Sequence, residues 1–167
     1  MKTPLLFCCL SFTLGVVRAQ TYLKAYGGLG YQEHFSIGAA LTLRETTSFS
    51  LTYGSNFFYK PQDFSALYLQ YDRVIPSLMA GKVIPGIGVK AGHNVFTDDF
   101  YRWRVISAVP FIMATRKLNP SVDLIAEGGL AMSRIEEVTR IRYGDIGKYK
   151  RYLPEVKIAV RYRIAKL

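Results

Sequence analysis

Phe35-Ser36-Ile37-Gly38-Ala39-Ala40-Leu41-Thr42-Leu43-Arg44, resumed after Glu45-Thr46-Thr47 as Ser48-Phe49-Ser50-Leu51-Thr52-Tyr53-Gly54-Ser55-Asn56-Phe57, is the stretch that decides the fold. In the first limb every odd position is apolar, and every even one is small, hydroxylated or charged. In the second, Phe49, Leu51 and Tyr53 share one face, and Ser48, Ser50, Thr52, Gly54 and Asn56 the other. A period of two is the mark of β-strands with one apolar and one polar face. The stretch therefore reads as a β-hairpin. What remains is whether its apolar face looks inward, as in a soluble sandwich, or outward against lipid, as in a membrane barrel.

The same rhythm runs outward in both directions. Before the hairpin, Leu23, Ala25, Gly27, Leu29 and Tyr31 alternate with Lys24, Tyr26, Gly28 and Gly30. After it come Leu67, Leu69 and Tyr71 against Tyr68, Gln70 and Asp72, then Val83, Pro85, Ile87, Val89 and Ala91 against Gly86, Gly88, Lys90, Gly92 and Asn94. Trp103, Val105, Ser107, Val109, Phe111 and Met113 follow, opposed by Arg102, Arg104 and Ala108. Two further strands place Val122, Leu124, Ala126, Gly128, Leu130 and Met132 opposite Asp123, Glu127, Gly129 and Ser133, and Val156, Ile158, Val160, Tyr162 and Ile164 opposite Glu155, Lys157, Ala159, Arg161 and Arg163. About eight strands of about ten residues are expected, the number and length of a small transmembrane barrel. Connections after the second, fourth and sixth strands read as short, and those after the third, fifth and seventh as longer.

At 167 residues the chain holds one domain, and half of it is hydrophobic. Lys2, the apolar run Leu5 to Val17 and the small-x-small pattern Val17-Arg18-Ala19 read as a signal peptide over residues 1–19, with cleavage between Ala19 and Gln20. Beyond it, no apolar run approaches the roughly 20 residues of a spanning helix. Both cysteines, Cys8 and Cys9, lie in the leader, so the exported barrel over 20–167 has neither disulfides nor thiol chemistry. The formal charge is +10, or +8 once Lys2 and Arg18 leave with the leader. No zinc or RNA-binding motif accompanies that charge, and export points away from nucleic acid.

The two faces differ sharply. One holds Leu, Ile, Val, Ala, Phe and Tyr with almost no charge. The other gathers Lys24, Arg44, Asp72, Lys90, Arg104, Asp123, Glu127, Glu155, Lys157, Arg161 and Arg163 among Gly, Ser and Thr. Gly28, Gly30, Gly38, Gly86, Gly88, Gly92 and Gly129 all fall on the charged face. A solvated outer face needs no glycine, and glycine weakens strands. The narrow interior of an eight-stranded barrel does need it, because long side chains must alternate with absent ones. The charged face is thus expected to line the lumen with the charges paired, as burial demands. Lipid-facing aromatics gather near strand ends, with Tyr31, Phe35, Phe57, Tyr59 and Trp103 toward one side and Phe49, Phe111 and Tyr162 toward the other, in the manner of two interfacial girdles.

The leader ending Ala19-Gln20, the hairpins and the charged, Gly-rich inner face resemble small outer-membrane β-barrels of the OmpA/OmpX-like class. They are similar in style to the porin-like "outer membrane protein beta-barrel" families of Bacteroidetes. The resemblance covers Gln20 to Leu167. It implies an all-β, eight-stranded antiparallel up-and-down transmembrane barrel in the outer membrane of a Gram-negative bacterium, inserted by the barrel-assembly machinery and surrounded by outer-membrane lipid and lipopolysaccharide. It implies no cofactor and no metal, and it names no specific protein partner. The implied role is structural or interaction-based, with small-solute transport and lipid A modification as alternatives.

His34-Phe35-Ser36 bears on the last alternative, because a family of barrel lipid A deacylases uses a His-x-Ser pair. That pair is followed by Asn, whereas Ile37 follows here, and Ser36 falls on the inner face. No catalytic residue is therefore assigned. The polar stretch from Arg134 to Arg151 carries Arg134, Arg140, Arg142, Lys148, Lys150 and Arg151, the cations of a surface loop suited to lipopolysaccharide phosphates. Its alternative is a solvated extension of the flanking strands through Ile135, Val138 and Ile141.

Overall fold

A computed structural model describes residues 20–30, 34–55, 63–97, 100–141 and 152–167. Residues 1–19, read above as a signal peptide, lie outside the described residues, as do Tyr31, Phe57, Tyr59, Arg142, Lys148, Lys150 and Arg151. Eight strands form: β1 (Thr21–Gly30), β2 (His34–Leu43), β3 (Thr47–Ser55), β4 (Asp63–Val74), β5 (Val83–Thr97), β6 (Tyr101–Asn119), β7 (Val122–Arg140) and β8 (Tyr152–Lys166). Each pairs antiparallel with its neighbours in sequence, and β8 returns to pair with β1, so the sheet closes in the order β1 to β8. Closure leaves no sheet edge, the condition for a β structure to sit in lipid. Among the described residues no helix is long and apolar enough to cross a membrane.

The opening hairpin pairs as its alternation requires, with Ile37 opposite Tyr53, Ala39 opposite Leu51 and Leu41 opposite Phe49. Its turn is tight. The Thr46 N–H donates to the Leu43 carbonyl at 3.1 Å, and Arg44 and Glu45 both take positive φ (51° and 59°). That is the primed turn whose twist matches a hairpin, here built without the usual glycine.

Strand length departs from expectation. β1 to β4 run 9 to 12 residues, but β5 and β8 have 15 and β6 and β7 have 19. A tilted strand crosses a bilayer in about 9–11 residues, so the β6–β7 hairpin extends well past it. The short-long alternation of connections is also irregular. Residues 75–82 join β4 to β5 through a 3-10 turn at Pro76–Leu78, whereas only 98–100 separate β5 from β6. The asymmetry between the two rims is carried partly by strand extension instead of loop length.

The outer face is apolar. Ile112 is 70%, Leu69 65% and Leu29 64% exposed, joined by Ile37, Leu51, Ile87, Val89, Leu130, Val156 and Ile158. These residues belong to all eight strands, so the apolar belt goes right round the barrel.

One strand is reversed. β6 turns Trp103, Val105, Ser107, Val109, Phe111 and Met113 inward, all buried, and presents Arg104, Ile106 and Ile112 outward. Trp103 and Phe111 are therefore not lipid-facing girdle residues. Both faces of β6 are apolar across the belt, so hydropathy alone does not orient it. The outward arginines lie beyond the belt, Arg102 and Arg104 where β6 pairs with the upper part of β7 and Arg116 at the strand's other end.

Candidate functional site

Among the described residues, the place where this fold gathers chemistry is its lumen. The buried charged residues there are four cations, Lys24, Lys90, Lys157 and Arg161, and four carboxylates, Asp72, Asp123, Glu127 and Glu155. Each lies on the inward parity of β1, β4, β5, β7 or β8, the positions that sequence alternation assigns to the lumen. The interior is therefore charge-balanced, as the cost of burying an unpaired ion requires.

The pairs join strands that are not neighbours in the sheet. The Lys24 ammonium on β1 donates to Asp123 Oδ2 on β7 at 2.6 Å, and Lys90 Nζ on β5 donates to Glu155 Oε1 on β8 at 2.8 Å. Arg161 on β8 grips Asp72 on β4 with two parallel bonds, Nη1 to Oδ2 at 2.9 Å and Nη2 to Oδ1. Strands four apart stand on opposite walls of an eight-stranded barrel, so this fork spans the lumen. Bidentate pairing is the strong form of the arginine–carboxylate bond. Arg161 Nη1 also donates to Ser48 Oγ at 3.2 Å.

Residues outside the expected charge set join the network. Tyr26 donates its hydroxyl to Glu127 Oε1 at 3.2 Å, and Gln70 Nε2 donates to the same oxygen at 3.2 Å. Lys157 Nζ lies 4.9 Å and the Arg161 guanidinium 5.6 Å from the centre of the Tyr26 ring, and Lys90 Nζ lies 5.0 Å from that of Tyr68. The ring faces thus supply negative potential to cations removed from water. Tyr26, Tyr68 and Gln70 share parity with the charged residues, and that parity is the sequence signal that marks them.

Two expected lumen residues lie elsewhere. Arg44 is exposed in the β2–β3 turn, because its positive φ takes it off the strand's inward parity. Arg104 is exposed on the outer side of β6 and pairs with Glu137 at 2.8 Å. Arg163 is partly buried at the mouth of the lumen. It donates to Glu45 Oε1 at 3.0 Å while Lys117 Nζ donates to Oε2 at 2.5 Å. These contacts hold the Glu45 carboxyl below its ordinary range. The Lys117 hydrogen bond is the main cause, burial opposes it, and the Lys117 and Arg163 charges add to it.

Apolar layers close the rest of the lumen. Tyr101, Trp103 and Val105 pack with Phe96 and Ile135 at the rim of the long β7–β8 connection. Tyr26, Phe111, Met113, Ile125 and Ala159 pack deeper, with Val74 against them. The cavity at the opposite mouth, bordered by Lys24, Ser48, Asp123 and Arg161, measures about 20 Å³, room for about one water. Larger grooves of about 590 Å³ lie on the outward face, one of them along Ile106, Ala108, Met132 and Tyr152.

The inward glycines do more than make room for charge. A Cβ at Gly28 would meet Lys157 Cε at 2.9 Å, as a crowded charged lumen predicts. At Gly38 and Gly92 it would overlap the backbone oxygens of Leu51 and Leu67, and at Gly88 the Phe111 ring. Close strand approach and one inward aromatic therefore account for most of them.

Ser36 is fully buried and donates to the Gly28 carbonyl at 3.3 Å, so no bilayer lipid reaches its hydroxyl. Arg134 and Arg140 sit on β7, and 134–140 extends that strand instead of forming a free loop. His93 is exposed on β5 with Nε2 3.4 Å from Glu136 Oε2. Among the described residues no group of three or more His, Cys, Asp or Glu is placed to hold a metal.

No protein-family profile matches the sequence, and no curated protein matches it. Solved structures do. A major outer membrane protein from Thermus thermophilus superposes with a TM-score of 0.52 at 12% identity, over 86% of this chain and 99% of its own. The chain has the fold of a small outer-membrane β-barrel. Neisserial surface protein A (NspA; TM-score 0.47, 16% identity, 86% and 96% covered) and Acinetobacter baumannii CarO (0.45, 11%, 86% and 98%) are also similar to this barrel.

Proposed function

We propose that this protein is an integral outer-membrane barrel with a sealed lumen, acting as a structural or surface-interaction protein after removal of residues 1–19. The observation that carries the reading is the inversion of polarity. The exposed surface is a continuous apolar belt, while eight charged side chains are buried inside. Water on the outside would leave that belt exposed, and lipid on the outside satisfies it. A side-chain-filled interior is also what eight strands give in barrels of the OmpA/OmpX type, so that class remains the favoured affiliation.

Small-solute transport is disfavoured by the same packing, since ion pairs and two apolar layers occupy the lumen. Heat-modifiability tests the membrane barrel. Unboiled protein from the detergent-extracted outer-membrane fraction should migrate differently from boiled protein, and recovery from the soluble periplasm would overturn the reading. Planar bilayers test the seal. The intact protein should show no conductance above background, and stable single-channel steps would favour transport instead.

A further inference from the structure

At the rim of the β7–β8 connection, exposed Arg104 pairs with Glu137 and His93 with Glu136, while Arg102 and Arg134 are exposed there without an ion pair among the described residues. At the opposite rim, Arg44, Arg73, Lys82, Arg116 and Lys166 are exposed, and none has an ion-pair partner among the described residues. The solvent-facing side-chain carboxylate of that rim, Glu45, is already held by Lys117 and Arg163.

These cations form a collar around the barrel, from the β2–β3 turn through β4, the β4–β5 turn and β6 to β8. They also sit at a definite depth. Phe49 and Tyr71 pack with tilted rings on the outer face, ring centres 5.2 Å apart, and Arg73 lies two residues beyond Tyr71 toward the turn. Tyr162 is likewise exposed near this end of β8. Outward aromatics followed by cations mark the depth where acyl chains give way to headgroups. Exposed Leu78, Met79 and Leu118 at the same rim extend apolar contact into that zone.

We infer that this collar binds anionic glycerophospholipid headgroups of the phosphatidylglycerol class in the periplasm-facing leaflet. The inference rests on the outer-membrane reading. Both ends of the barrel strand order lie at this rim, where the Leu167 N–H bonds to Thr21 and the Arg44 N–H to Gln20. The longest connection, 141–151, is at the other rim, and long connections are extracellular. A phosphate is the first anion a cation meets at that depth, and only a net-negative lipid leaves charge for it.

The test uses the protein in phosphatidylcholine vesicles with spin-labelled phosphatidylglycerol or spin-labelled phosphatidylcholine. At low salt the protein should immobilise the anionic label several-fold more, with up to about fivefold from each cation. The preference should fall toward parity in about 1 M salt, where screening acts within about 3 Å. Arg73→Gln/Lys82→Gln/Arg116→Gln should abolish most of it, and Arg102→Gln/Arg134→Gln at the other rim should not. Parity in the unaltered protein, or a preference that survives the triple change, would overturn the inference. So would lipopolysaccharide outcompeting phosphatidylglycerol at the collar, since that places this rim in the outer leaflet. The heat-dependent gel shift is read in the same vesicles. Protein that does not insert defeats the membrane reading itself, whereas protein that inserts without preference defeats only the collar.

Discussion

Two diameters of the same lumen are filled by different physics. From β4 to β8 the filling is charge: Asp72 and Arg161 meet across the barrel in a two-bond fork. From β2 to β6 it is volume. Of its described side chains, β2 sends in only Ser36, Gly38, Ala40 and Thr42, and the facing wall answers with Trp103, Val105, Val109, Phe111 and Met113. The difference shows that an eight-stranded interior is first a fixed space. Polarity decides what fills it only where a partner of opposite sign stands within reach.

Breaking the charged diameter should have the largest effect. Asp72→Ala leaves the buried Arg161 without its counter-ion, and removing one partner of a buried pair costs about 3–5 kcal/mol. The urea midpoint for loss of the heat-modifiable band in detergent should fall accordingly. Arg104→Ala removes an ion pair about half exposed on each side and should cost at most about 1 kcal/mol. Equal losses for the two variants would mean that the lumen is as wet as the surface, and the contrast between the diameters would collapse.

The volume diameter is sharpened by glycines on opposite faces. Gly38→Val places side-chain carbon where the Leu51 carbonyl oxygen and Thr52 already stand. Overpacking of this kind costs about 1–3 kcal/mol, and the folded band should weaken in the same titration. Gly128 is on the outward face, where an added Cβ would meet nothing within 4 Å, so Gly128→Val should leave the midpoint unchanged. If both substitutions are tolerated, the thin wall of β2 is not set by strand approach.

Alternation made seven of the eight strands legible, because on each of them the charged and small residues gather on one parity while the other is largely apolar. It failed on β6 for a physical reason. A strand facing a thin wall is apolar on both sides, and its charges, Arg102, Arg104, Arg116 and Lys117, lie at its two ends, past the apolar belt. The glycine pattern held the missing information. Gly88 on β5 and Gly129 on β7 both border Phe111, and residues directly opposite in neighbouring strands point to the same face. Inward glycines on both sides thus oblige Phe111 to be inward. The pairing of the charges was legible only as a requirement, since which carboxylate meets which cation depends on barrel stagger. Glu45 was missed because a positive-φ turn moves it out of strand parity and brings it to the lumen mouth.

The smallest expected effect lies at that mouth, where the charged filling meets water. Glu45 is a turn carboxylate whose ionised form is favoured in the folded protein, chiefly by the Lys117 hydrogen bond. A carboxyl lowered on folding contributes stability that is complete above its unfolded value near 4.5 and is lost as the pH falls through the lower folded value. Glu45→Gln should therefore lower the thermal midpoint slightly at neutral pH and converge with the unaltered protein in acid. The group is about one-third exposed, so solvent and salt keep the difference small. A gap between the two proteins that persists or widens in acid would show that Glu45 acts by packing, and that the mouth belongs with the volume-filled diameter instead of the charged one.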